Sequence, residues 1–437
     1  MQFFVVSLLF LLALLRLSRA SFYDNPVLEL PPVGGTPLEE LERKWGTDFG
    51  FTGITTYAHL PHTRCLTHPE TLYDIILLGI PFDTSVSYRP GARFGPRAIR
   101  AASSRQTSFR GFNHRAGLNP YTSWPSILDC GDVPVTPFDN ALALRQMSEA
   151  YLELLSRRPL SYDESADWVH PRIVALGGDH SIALPALRAL NKVYGGAVAV
   201  LHFDAHLDTW HPGKYPSAWF DSPGSQSDLT HGSMFWIASQ EGLILNDTSV
   251  HAGLRTRLSG DDFADYDDDT RQGFLRIETD DIDTLGTQGI IDLILTTMGT
   301  ETPVYLSVDI DVLDPGIAPG TGTPEPGGWT MRELIRILRG VEGLNIVGAD
   351  VVEVSPGFDD RGEGTALAGA QVAYEMITSI VKGGLVKRGL WVESEHTRPG
   401  TEKLGLKGLK DKVKSVVADV EEQAQKVITP SKGKDEL

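Results

Sequence analysis

The chain has 437 residues, 41% hydrophobic and 22% charged, and a formal net charge of -18 from 39 Lys and Arg against 57 Asp and Glu. That length and apolar content exclude a mini-protein held by disulfides or metal, and exclude disorder of the whole. The acidity argues against nucleic acid as a partner, because its phosphates would be repelled.

At the start, residues 3–15 (FFVVSLLFLLALL) are a continuous apolar run, shorter than the roughly 20 residues that a membrane-spanning helix needs. Ser18-Arg19-Ala20 behind it fits a small-x-small cleavage site, so residues 1–20 read as a secretory signal peptide. No Lys or Arg precedes the run, which leaves an uncleaved signal anchor as the alternative. Residues 21–69 are rich in Pro, Gly and Thr, show no clear period, and are expected to be an N-terminal extension packed on the core. Cys65 and Cys130, the two cysteines, either pair in an oxidising lumen or stand as separate buried thiols.

From Asp74 the rhythm changes. DIILLGI (74–80), RIVALGG (172–178), GAVAVLHF (196–203), VYLSVDI (304–310) and NIVGADVVEV (345–354) are short β-branched runs that predict buried strands. Helical patterns lie between them, clearest at 330–340. There Thr330 caps, Glu333 completes a capping box, and Met331, Leu334, Ile335 and Leu338 form the apolar face. Alternating strands and helices predict an α/β fold with a mostly parallel sheet covered on both faces, spanning residues 70–395. Asn246-Asp247-Thr248 is a glycosylation sequon. Residues 261–269 (DDFADYDDD) read as a solvated acidic loop. In residues 402–428 apolar positions recur every three and four from Leu406 to Val427, and the first half is basic. This amphipathic helix belongs to a tail, 396–437, and either lies on an anionic membrane surface or packs on the body or a sister subunit. Lys434-Asp435-Glu436-Leu437 is a signal read by the KDEL receptor. With the leader it predicts the endoplasmic reticulum lumen, the alternative being secretion.

Three predicted strand ends carry the chemistry. Gly177-Gly178-Asp179-His180-Ser181 lies at a strand-to-helix turn. In Asp204-Ala205-His206-Leu207-Asp208 the polar residues are spaced i, i+2, i+4 and share a face of an extended segment. Asp309-Ile310-Asp311 follows the same logic. Asp204, Asp208, Asp309, Asp311, His180 and His206 thus offer four carboxylates and two imidazoles. Four clustered carboxylates do not all stay ionised without compensation. Two divalent cations would balance them, and oxygen-rich ligation with a minority of His suits Mn²⁺. His202 lies deeper on the face of Asp204 and reads as a core histidine, and His211 as a solvated loop histidine. The Gly-rich stretch 88–96 lacks both phosphate-loop spacings and reads as a tight turn.

GGDHS, DAHLD and SVDIDVLDPGIAPGTG resemble the three signature blocks of the ureohydrolases, the family of arginase, agmatinase, guanidinobutyrase and formiminoglutamase. YRPGARFGP (88–96), THGSMF (230–235) and TGTPEPGG (321–328) are similar to its agmatinase-type members. The resemblance covers roughly residues 70–395 and implies a three-layer α/β/α fold, a binuclear manganese centre and a homo-oligomer, trimeric or hexameric. It implies that one Mn²⁺ takes His180, Asp204, Asp208 and Asp309, and the other Asp204, His206, Asp309 and Asp311. A bridging hydroxide, oriented by Asp208, would then attack a guanidinium carbon. His231 matches the proton-shuttle histidine and Glu353 the glutamate that pairs with the guanidinium. Between the DAHLD block and His231, Asp221 and Asp228 make an acidic stretch that suits a cationic tail. Agmatine is therefore expected ahead of guanidinobutyrate and arginine. Two readings of other classes are a luminal metal-binding scaffold without activity and a relative of the zinc deacetylases, which share this pattern at one metal only.

Overall fold

The computed structural model describes residues 36–214 and 228–393. The leader, Asp221, the helix at 402–428 and the KDEL sequence lie outside them. The described residues up to Phe49 and those from Gly50 on fall into two compact units. In the first, Pro37–Trp45 forms helix α1, which the absence of a period in 21–69 did not foretell. Thr36 and Glu39 make a reciprocal capping box and proline occupies the first helical position, so local chemistry starts this helix while its apolar Leu38, Leu41 and Trp45 stay exposed.

In the second unit eight strands form one sheet. They are β1 Ile75–Gly79, β2 Ile127–Asp132, β3 Arg172–Leu176, β4 Ala199–Phe203, β5 Ser249–Leu254, β6 Phe274–Glu278, β7 Pro303–Asp309 and β8 Asn345–Val352. Their order is β2-β1-β3-β8-β7-β4-β5-β6. Every pairing is parallel. The five apolar runs expected as strands are β1, β3, β4, β7 and β8, the middle of the sheet. The strands missed are β2, β5 and β6, at or next to its edges. Polar residues such as Asp129, Ser249, His251 and Arg276 interrupt their apolar runs.

Successive strand residues point to opposite faces. Ile75 and Leu77 join one core, Ile76 and Leu78 the other. The first core takes side chains from α2 Gly95–Ala102, α7 Asp281–Met298, α8 Met331–Gly340 and α9 Gly364–Lys387. The second takes them from α3 Asn140–Leu155, α4 Ala183–Tyr194 and α5 Met234–Gln240. The result is a three-layer α/β/α sandwich. The capping box of Thr330 and Glu333 starts α8, and its buried face is Leu334, Ile337 and Leu338. Ile337 takes the core position expected for Ile335, which is only partly covered.

Residues 50–69 pack within this unit. The Tyr57 hydroxyl donates to the Ala370 carbonyl at 2.7 Å, and the Tyr57 N–H donates to Asp129 at 2.8 Å. Cys65 and Cys130 are bonded, with Cα atoms 5.2 Å apart, which ties this segment to β2. The acidic run 261–269 is not the solvated loop expected: Ala264–Arg271 is a helix, α6, and its Asp265 and Asp269 are buried. Asp265 accepts from Trp210 Nε1 at 2.9 Å and from the Ser259 N–H at 2.6 Å. Asp269 accepts from Arg276 at 2.8 Å. Asn246 is exposed in the turn before β5.

Candidate metal centre

Four strands adjacent in the sheet, β3, β8, β7 and β4, end side by side, and their last residues lead into the chemistry. After β3, Gly177 and Gly178 turn the chain toward His180. A Cβ on Gly178 would lie 1.8 Å from the Phe82 carbonyl oxygen, so only glycine lets the two backbones approach this closely. Asp179 caps the following turn through the Ser181 N–H at 3.1 Å, which aims His180 inward. β4 releases Asp204, β7 ends at Asp309 and β8 releases Glu353. Ligands at the carboxyl ends of parallel strands are the rule for such sheets.

The six residues singled out by spacing converge. His180 Nδ1 stands 3.1 Å from Asp204 Oδ2, 3.1 Å from Asp208 Oδ2 and 3.3 Å from Asp309 Oδ2. His206 Nδ1 stands 3.1 Å from both Asp204 Oδ1 and Asp311 Oδ2. Asp204 therefore faces both groups, one oxygen to each. Despite those three near oxygens, His180 Nδ1 is buried with no hydrogen-bond partner. Three carboxylate oxygens converging on a ring nitrogen that hydrogen-bonds to none of them fit a cation at that point. Asp208 holds its place with φ +56°, a left-handed conformation that aspartate tolerates better than most residues.

Electrostatics point the same way. Burial, followed by the charges of Asp311 and Asp204, raises the carboxyl of Asp309 well above its ordinary range. Burial and the charge of Asp204 push Asp208 up to about 6 and raise Asp311. For Asp204 burial is outweighed by His202, His180 and His206, which hold it ionised. Burial would lower His180 and His206, but the surrounding carboxylates raise both. The cluster thus draws in protons, and metal cations satisfy the same demand for positive charge.

Behind the ligands, His180 Nε2 meets the Ser307 hydroxyl at 2.7 Å, and Ser307 donates to Asp350 at 2.7 Å. His202, expected as a core histidine, is fully buried. Its Nε2 lies 2.8 Å from Asp204 Oδ2 and its Nδ1 2.7 Å from His251 Nδ1. With His180, Asp204 and Asp208 it presents donor atoms within 4.8 Å of one another. Both of its nitrogens are spanned, however, whereas His180 Nδ1 is open. His211 is exposed, its ring edge-on to Trp236 at 4.6 Å, and Asp228 is exposed as well.

Glu353 and His231, distant in sequence, meet: His231 Nδ1 is 2.9 Å from Glu353 Oε1. Glu353 Oε2 is buried without a partner, and φ there is +61°, an unfavourable backbone held by the N–H donating to the Gly178 carbonyl at 2.9 Å. Burial would lower the His231 pKa, but the hydrogen bond and charge of Glu353, aided by Asp208 and Asp179, carry it up to about 9. His231 Nε2 lies 2.9 Å from the Ser87 N and 2.8 Å from the Ser87 hydroxyl, and the hydroxyl can accept when this nitrogen carries a proton. Ser87, His206, Asp208, Trp210, His231 and Thr323 line a cavity of about 50 Å³ here. Sequence reading missed Ser87 and Asp83. The carboxylate of Asp83 accepts the Gly91 N–H at 2.8 Å and the Arg93 N–H at 3.2 Å and pairs with the Arg93 guanidinium. The Gly-rich stretch is thus folded around a carboxylate, and no local spacing marked that residue.

A three-layer sheet whose strand ends gather such a cluster defines a class of metal hydrolase, and likeness to known proteins gives the family. Residues 73–378 match the family model described as Arginase family. "Putative agmatinase 3" of Schizosaccharomyces pombe is 47% identical over 356 residues, covering 80% of this chain and 85% of that protein. Guanidinobutyrase of Pseudomonas aeruginosa is 36% identical over 357 residues, covering 82% and 98%. The structure of proclavaminate amidino hydrolase from Streptomyces clavuligerus superposes with a TM-score of 0.65 at 34% identity, covering 77% of this chain and all of that one. The chain belongs to the arginase family. Within it, the chain is an agmatinase-like ureohydrolase enzyme.

Proposed function

We propose that the protein hydrolyses agmatine to putrescine and urea at a pair of manganese ions. The carrying observation is Glu353 Oε2, a buried carboxylate oxygen with no donor, beside six candidate ligands. An unpartnered buried acceptor is costly, and the N–H fork of a guanidinium satisfies it. His180, Asp204, Asp208 and Asp309 would hold one ion, and Asp204, His206, Asp309 and Asp311 the other. Such a pair supplies a water acidified enough to serve as hydroxide near neutral pH. The chain's own groups do the rest. Glu353 binds and orients the planar guanidinium, Asp208 orients the nucleophile, and His231 delivers a proton from Nε2 to the departing amine. The experiment is urea release by manganese-loaded protein offered agmatine, 4-guanidinobutyrate and L-arginine in parallel. Urea from agmatine at the highest kcat/KM is expected, and no urea from agmatine ends the proposal.

One observation favours a second reading, guanidinobutyrate. The Arg89 guanidinium lies 5.0 Å from the ring centroids of both Tyr88 and Phe358. A Cβ on Gly322 would meet the Arg89 carbonyl oxygen at 2.9 Å and Glu353 Oε2 at 3.5 Å, so the backbone that carries this cation sits near the guanidinium-binding carboxylate. A cation clamped between rings suits a carboxylate tail. A higher KM for 4-guanidinobutyrate in Arg89→Ala, with KM for agmatine unchanged, would select this reading.

The enzyme works as a homo-oligomer in the endoplasmic reticulum lumen, with residues 402–428 in contact with a membrane surface or with the protein itself. The bonded Cys65 and Cys130 and the exposed Asn246 support an oxidising secretory compartment. No helix among the described residues is long and apolar enough to cross a membrane. A glycosidase-sensitive mass shift abolished by Asn246→Gln tests the route.

A further inference from the structure

One rung of the sheet is polar where its neighbours are apolar. His202 on β4 is in register with His251 on β5, and His251 with Arg276 on β6. Residues in register across parallel strands share a face, so their side chains meet. A continuous chain of contacts follows. Asp204 Oδ2 to His202 Nε2 is 2.8 Å, His202 Nδ1 to His251 Nδ1 is 2.7 Å, and His251 Nε2 to Asp269 Oδ1 is 3.0 Å. Asp269 also accepts from Arg276 at 2.8 Å and from the Thr209 hydroxyl at 2.7 Å. His202, Asp204, His251 and Asp269 are all fully buried.

The carboxylates fix which nitrogens donate. An ionised carboxylate only accepts, so the contacts at the two ends take their hydrogens from His202 Nε2 and His251 Nε2. Phe274 stacks on the His251 ring at 4.0 Å and 12°, which holds that ring in place between His202 and Asp269.

We propose that His251 and Asp269 are positioning residues of the metal centre: they lock His202 as its Nε2–H tautomer and so orient the carboxylate of Asp204. Asp204 is the residue that faces both ligand groups, so a rotation there disturbs both. Removing the partner of a ligand in this way weakens metal binding by roughly ten- to a hundredfold. This rests on the metal-site reading above.

The test compares wild type with Asp269→Asn, Asp269→Glu and His251→Phe. Manganese retention is measured against a competing chelator, and ¹⁵N-histidine spectra are recorded on metal-free protein. In wild type the His202 ring should carry its proton on Nε2, and Asp269→Asn should disturb that tautomer. Both Asp269→Asn and His251→Phe should give up manganese at tenfold or more lower chelator concentration. KM should move less than kcat, and Asp269→Glu should restore part of the affinity. Equal retention in all variants overturns the relay, as does a wild-type spectrum in which His202 carries its proton on Nδ1. A wild type that binds no manganese fails the metal-site reading instead. Variants that only unfold at lower temperature, with unchanged retention while folded, show a merely structural role and also overturn it.

Discussion

Glu353, His231 and His206 each make a claim, the first two joined through their 2.9 Å contact. Glu353→Gln keeps shape and removes charge, so it loses the charge-assisted part of guanidinium binding, about 1.5–3 kcal/mol, or roughly ten- to a hundredfold in kcat/KM. Unchanged kinetics would mean that the wrong carboxylate has been placed at the guanidinium. His231 is raised to about 9, so its imidazolium persists through neutral pH and is lost as pH rises through that value. A proton-donor role therefore predicts turnover falling above pH of about 9. A pH–rate profile that stays level to pH 10 removes His231 from the leaving-group step. His206→Ala should leave a folded chain that has lost metal-dependent activity, read by metal content and circular dichroism. Wild-type turnover in that variant would sink the ligand assignment.

At the scale of elements, local signals and long-range ties make different predictions. α8 starts with the reciprocal bonds of Thr330 and Glu333, and its buried Leu334, Ile337 and Leu338 carry the packing. Thr330→Ala should cost about 1 kcal/mol without touching activity, measured as a shift in urea midpoint at constant slope. The Cys65–Cys130 bond closes a loop of sequence separation 65. Its removal by Cys65→Ser and Cys130→Ser together should cost ~4 kcal/mol on a chain-entropy account. A denaturation midpoint unmoved by that pair would show that the segment at 57–67 is held by its other contacts, such as Tyr57 on Ala370.

For the whole molecule, the metals are part of the stability. Four buried carboxylates repel one another, and a ligand that binds only the folded state stabilises it by mass action. At manganese a hundredfold above its Kd this amounts to about 2.7 kcal/mol per site. Tm should therefore rise with manganese concentration and fall on chelation. A Tm indifferent to both would mean that the cluster takes no ion.

The strands and site residues legible in the sequence share one physical property. β1, β3, β4, β7 and β8 are covered on both faces, so they must be runs of apolar residues, and that shows without a partner in view. His180, Asp204, His206, Asp208, Asp309 and Asp311 sit in short blocks whose spacing puts them on one face, and those blocks also carry the family resemblance. β2 and β6 were silent because edge strands accommodate polar residues, and β5 because its buried Ser249 and His251 are satisfied by partners from other elements. Asp265 and Asp269 read as solvated because their partners, Trp210, His251 and Arg276, come from other elements. Pairing Cys65 with Cys130, His231 with Glu353, and His251 with the far side of Asp204 required sheet order and register. Those contacts join positions far apart along the chain, where no periodicity or spacing records that two side chains will meet.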